Sequence, residues 1–157
     1  MNNHPSPATV IAPPCDCAAI LPGFTFADCY AVSVRQGTDA RDLVKAAFSS
    51  APSWVRAFLN LRNRLGQLVG LKPAESKGFP VISESPQEVC VGFNDWHLDF
   101  RVVVTVGPEE GAATEAALST IVRTHNFWGR AYLFLIMPFH RLIARRYLRG
   151  AAKKFAL

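Results

Sequence analysis

Residues 123–146 read RTHNFWGRAYLFLIMPFHRLIARR, and the reading of this stretch decides the fold. Ala131 to Phe139 is a run of nine largely apolar residues between a polar lead-in and an exit whose charges are all positive. A transmembrane helix needs about 20 such residues, and Arg130 and His140 bracket the run closely, so a membrane span is not expected. Asn126 has the chemistry of an N-cap, and a helix is predicted from Phe127 to about Arg149. Trp128, Tyr132, Leu135, Ile136, Phe139, Leu142, Ile143 and Tyr147 fall along one stripe of it. Its first half is apolar nearly all round, as in a helix gripped between a curved sheet and other elements, while Arg141, Arg145, Arg146 and Arg149 turn the second half to water. Pro138 should kink it, because the ring removes a backbone donor.

Upstream, the periodicity falls to two. FPVISES and QEVCVGFN are short strand candidates from Gly78 on, WHLDFRVVVTV is a longer one, and ATEAALSTIVRTHN returns after a turn at Gly107 to Gly111. These predict an antiparallel meander, with a tight turn at Gly92 to Asp95. FADCYAVSVRQG, further upstream, alternates as a strand, Asp28 sharing a parity with Phe26, Tyr30, Val32 and Val34. Between it and the meander, Thr38 as N-cap opens a short helix that stops by Pro52. A second helix starts near Pro52 or Ser53, with Trp54, Phe58, Leu61, Leu65, Leu68 and Val69 as its apolar stripe and Gly70 as its end. Arg56, Arg62 and Arg64 read as its solvated side, since no aromatic platform for nucleic acid interleaves with them.

The chain has 157 residues, half of them hydrophobic, 18% charged, with a net charge of +5. That suits one core, folding alone, and the charge by itself selects no partner. Residues 1–21 carry four prolines, with Pro22 directly after, and no positively charged start; they read as a flexible arm before a single domain at 22–157. Cys15, Cys17, Cys29 and Cys90 have no disulfide-framework spacing, which favours a reducing, cytoplasmic setting. Cys15 and Cys17 with His4 lack a fourth ligand, so exposed thiols are expected and no metal or other cofactor.

Strand, two short helices, antiparallel strands and one long C-terminal helix is the order of the α+β helix-grip architecture. It is shared by START-like (SRPBCC) lipid-transfer domains, birch-pollen-type allergens and polyketide cyclases, in which a bent sheet wraps the last helix around a cavity. PSWVRAFLNLRNRLGQLVGLK, VGFNDWHLDFRVVV and TIVRTHNFWGRAYLFLIMPFHRLIARRYL together resemble a bacterial family of unknown function, DUF2867, from about Tyr30 to Leu148. The resemblance implies the helix-grip layout and supplies no catalytic residues. Some members are fused behind a short-chain-dehydrogenase-like domain, but no GxGxxG follows a strand here, so no nicotinamide site is expected.

Asp95, His97, Asp99 and Arg101 share the polar face of the long strand, and pairing through the following turn would bring Arg123 and His125 near His97 and Asp95. As ion pairs on the wet side of the sheet these are worth about 0.2–1 kcal/mol each. At a cavity mouth, Arg101 or Arg123 would hold an anion and His97 or His125, with Asp99, would move protons. Two functions follow. One is binding of a small hydrophobic molecule against Trp54, Phe58, Trp128, Tyr132 and Phe139, with His140 a further polar candidate. The other is a cyclase or dehydratase with a histidine acid or base and an arginine at the enolate. The basic C-terminus also offers weak contact with a membrane surface.

Overall fold

The computed structural model describes residues 7–71, 79–108 and 113–156. Ten elements follow in chain order: β1 (Thr9–Val10), α1 (Cys17–Ile20), β2 (Phe26–Arg35), α2 (Ala40–Ser49), α3 (Ser53–Gln67), β3 (Val81–Glu84), β4 (Glu88–Asn94), β5 (Leu98–Val106), β6 (Ala113–Thr124) and α4 (Phe127–Lys154). The strands form one antiparallel sheet in the order β1-β2-β6-β5-β4-β3. The meander from β3 to β6 is thus as expected, and the early strand β2 closes on its last member.

Alternation along the strands gives the sheet two apolar faces. Tyr30, Val32 and Val34 of β2, Val104 of β5 and Ala116 and Leu118 of β6 meet Leu43 and Ala46 of α2 and Ala144, Leu148 and Ala151 of α4. Small residues on the second half of α4 let it lie close: a Cβ on Gly150 would stand 2.7 Å from the Ser50 hydroxyl. Asn126 caps α4 by accepting from the Gly129 amide at 3.0 Å, and the helix continues through Pro138 to Lys154. Asp39, not Thr38, caps α2; Thr38 instead donates to the Arg35 carbonyl.

The other face of the sheet is where the segment expected to be a flexible arm comes to rest. From Pro7 it is ordered along the sheet: β1 pairs with β2, and Asp16 caps α1. Leu21, Cys15, Cys17 and Ile20 cover Cys90, Val103 and Ile121, while Ile11 covers Cys29, Ala31 and Ala117. Prolines exclude long regular elements, but a two-residue edge strand and a one-turn helix tolerate them. The thiols expected on a loose tail are therefore half-buried, and burial pushes Cys15 up to about 11. His4 lies outside the described residues, as does part of the turn ending at Gly111.

α3 departs from its expected packing. Its buried residues are Val55 and Gly66, and its leucine stripe faces outward, with Leu61 56% and Leu68 82% exposed. The long stripe predicted on α4 also divides, since Tyr132, Ile136, Ile143 and Tyr147 turn toward the sheet while Trp128, Leu135 and Leu142 are exposed. The first half of α4 is not gripped on every side. A cavity lies between it and the sheet.

Candidate functional site

The cavity has a volume of about 240 Å³. Val91 and Phe93 of β4, Leu98, Phe100 and Val102 of β5 and Leu118, Thr120 and Val122 of β6 form its floor. Leu133, Ile136, Met137 and His140 of α4 roof it, and Phe58, Leu59 and Arg62 of α3 close one side. The even-numbered residues of β5 and β6 reach it because side chains alternate across a pleated sheet. The odd-numbered residues of β4 do so because Val91 pairs with Val102 and Phe93 with Phe100. Phe93 and Phe100 meet edge to face at 4.5 Å, with Phe79 against both.

Polar groups enter this lining at two places. At the first, Arg62 Nε donates to the Tyr132 hydroxyl at 3.0 Å, and the edge of His97 meets the Tyr132 ring at 5.0 Å. His97 is 2% exposed and neither ring nitrogen has a hydrogen-bond partner among the described residues. Burial lowers its pKa, the Asp95 carboxylate 3.8 Å away opposing the shift, so the ring is held toward its neutral form. At the second, Thr120 lies directly across from Asp28 in the β2–β6 ladder, and His140 Nε2 is 3.3 Å from Asp28 Oδ1. Thr120 Oγ1 and Asp28 Oδ2 are both buried without a partner among the described residues. Tyr30, next on the same face of β2, has its phenol pKa raised by burial and then by the Asp28 charge.

Of the residues expected at a ligand site, Phe58, Tyr132 and His140 line the cavity. Phe139 does not line it but stacks on Phe58 at 4.9 Å, while Trp54 and Trp128 are on the exterior. Arg101, Arg123, Asp99 and His125 belong to the opposite face of the sheet. Arg101 Nη1 donates to the Phe100 carbonyl at 2.8 Å. Asp99 is buried there, taking Arg123 Nη2 at 2.5 Å and His125 Nε2 at 2.9 Å, and Arg123 also donates to the Pro22 carbonyl. Burial opposes the Asp99 charge, but the His125 and Arg123 hydrogen bonds outweigh it, so its pKa is lowered. This network fastens the N-terminal segment to the sheet. Its position overturns the expectation that His125 or Asp99 moves protons inside the cavity and that Arg101 or Arg123 holds a ligand anion there.

The expected register is corrected as well. Asp99, not Asp95 or His97, is the partner of Arg123, and His125 meets His97 through the backbone. The turn between β4 and β5 lies at Asp95 to His97, closed by the Asp95 amide on the Leu98 carbonyl and by Asp95 Oδ1 on the Trp96 amide. His97 therefore precedes the strand, and its ring turns inward instead of sharing the face of Asp99. Asp28 and Thr120 were not among the expected site residues. Their signal was parity: each is a polar residue on the apolar register of its strand, Asp28 with Tyr30 and Val32, Thr120 with Leu118 and Val122.

A family model described as "Protein of unknown function (DUF2867)" matches residues 20–147. The chain belongs to that family. No curated protein and no solved structure matches it. The DUF2867 span contains every residue of the cavity lining named above, together with Asp28 and the Asp99 network. It leaves out β1, Cys15 and Cys17, so the cavity belongs to the family's common portion and the outer clasp lies partly before it.

Proposed function

We propose that this DUF2867 protein binds a small, mostly apolar molecule between the sheet and α4, in the manner of START-like helix-grip domains. The observation that carries the reading is an apolar cavity whose wall holds a buried hydroxyl, Thr120 Oγ1, with no partner among the described residues, beside the Asp28–His140 pair. A buried polar atom without a partner costs about 1–3 kcal/mol. A ligand that reaches Thr120 removes that cost, which favours a molecule with an apolar body and one hydroxyl or similar hydrogen-bonding group. Ligand pockets of this type, with apolar walls and few polar groups fixing orientation, are common between packed elements. The volume is below the roughly 300–1,000 Å³ of drug-sized pockets, so the occupant is compact and not a two-chain lipid.

Native and denaturing mass spectra of protein purified from cells test the reading. The expected result is an adduct of small mass that is lost on unfolding, or, after stripping, saturable binding of medium-chain alcohols that Ala47→Phe, on the part of α2 that lines the cavity, removes by filling one wall. No adduct and no saturable binding would contradict it.

A further inference from the structure

Only part of the apolar surface of α3 packs on the protein. Val55 and Gly66 are the buried positions, while Trp54, Leu61, Leu65 and Leu68 form a stripe open to water. At 100° per residue Arg62 and Arg64 flank that stripe, roughly 80° to either side. The first half of α4 repeats the pattern: one side roofs the cavity, and the other exposes Phe127, Trp128, Phe134 and Leu135, with Phe134 at 85%. The Phe58–Phe139 stack joins the two helices that carry these stripes. Single exposed apolar residues need no explanation, but a surface of this extent marks a binding face.

Charge decides what binds there. α3 carries Arg56, Arg62 and Arg64 and the first half of α4 carries Arg130, the other four arginines and two lysines of α4 following in its second half; neither helix has an aspartate or glutamate, although the chain has twelve. A second copy docking by twofold symmetry would set these cations against themselves. A nucleic acid would leave the leucine and phenylalanine stripes uncovered. A bilayer with anionic headgroups takes both, the aromatic and aliphatic side chains entering the headgroup–acyl boundary and the guanidinium groups meeting phosphates. No helix among the described residues is long and apolar enough to cross a membrane, so the contact lies in the interface plane.

The geometry points to α3 and the first half of α4 as a docking surface for anionic membranes. Apart from Arg62, which also borders the cavity, the side chains of this surface are not those of the cavity lining, and the proposal does not depend on what the cavity holds.

The test is flotation of the full chain with vesicles of phosphatidylcholine alone or of equal parts phosphatidylcholine and phosphatidylglycerol, with tryptophan emission followed in parallel. All three tryptophans are at least 38% exposed, and Trp54 and Trp128 lie on the two helices. The expected result is flotation with the anionic vesicles, a blue shift of emission, and loss of binding as salt is raised. Leu61→Glu and Phe134→Glu, both at exposed positions, should each weaken binding at least about tenfold with the melting temperature unchanged. Equal flotation with both vesicles, none with either, or sedimentation showing a dimer that these substitutions split would overturn the proposal. A cavity-filling Ala47→Phe variant that still floats keeps the surface distinct from the ligand site; if it fails to float while remaining folded, the surface is not independent and the proposal falls.

Discussion

His140 of α4 and Asp28 of β2 meet across the edge of the cavity, Nε2 to Oδ1 at 3.3 Å, and leave the second Asp28 oxygen and the opposing Thr120 hydroxyl without a partner among the described residues. Side chains arranged for stability alone would satisfy these atoms or replace them. Thr120→Val keeps the shape and removes the orphaned oxygen, so it should raise stability by about 1 kcal/mol while weakening ligand binding about tenfold. Denaturant titration beside a binding isotherm checks both; a variant that loses stability would show that Thr120 already has a partner.

Asp99 is the buried anchor of the opposite face, and its role there is structural. Asp99→Asn should cost about 1–3 kcal/mol at neutral pH, because Arg123 and His125 lose a charged acceptor. Since the folded pKa is lowered, the stabilisation is complete above the unfolded value of about 3.9 and disappears as pH falls through the folded value. The variant should therefore show a flatter acid limb in its stability curve. Ligand binding in the cavity should be unchanged.

His97 supplies a second, separate pH dependence. Its folded pKa is depressed by burial, so above about pH 6.5 both states are neutral there and it contributes nothing to the slope. As pH falls below that value the unfolded chain takes a proton that the folded protein refuses, and stability declines. His97→Phe, which retains an edge for the Tyr132 ring, should remove this part of the decline. Urea midpoints at about pH 7.5 and pH 5.5 measure it.

Gly129 fixes where α4 begins. A Cβ there would collide with the His97 carbonyl oxygen and stand 3.5 Å from Thr124 Cβ. Gly129→Ala must push the first turn of α4 off the β4–β5 turn, at a cost of about 1–3 kcal/mol, despite alanine's better helix propensity. A thermal melt unchanged from the parent would show that the contact is looser than the backbone geometry implies.

The elements that decide the architecture were legible in the sequence because each is long enough to show its period. β2, β5, β6 and α4 are of this kind, and with α2 and α3 they place a sheet under a long helix. What covers an apolar face was not legible. The α3 stripe announces an amphipathic helix but not which side meets the protein, and here Val55 and Gly66 do. The shift of the turn to Asp95–His97 detached His97 from the strand parity that grouped it with Asp99. β1 and α1, at two and four residues, are too short to show any period, so a proline-rich arm concealed the outer clasp. The cavity polarity was half visible: His140 stood out beside Pro138, whereas Asp28 and Thr120 stood out only once their registers were set opposite each other.

The most direct measurement is a methyl and imidazole NMR titration of the stripped protein with octanol, a compact apolar chain bearing one hydroxyl. Saturable shifts at Leu118, Val122, Ile136 and the His140 ring, absent from Leu61 and Leu68 on the outer stripe, are the predicted result. Shifts that never saturate, or that appear only on the exposed stripes of α3 and α4, would contradict a ligand site between sheet and helix.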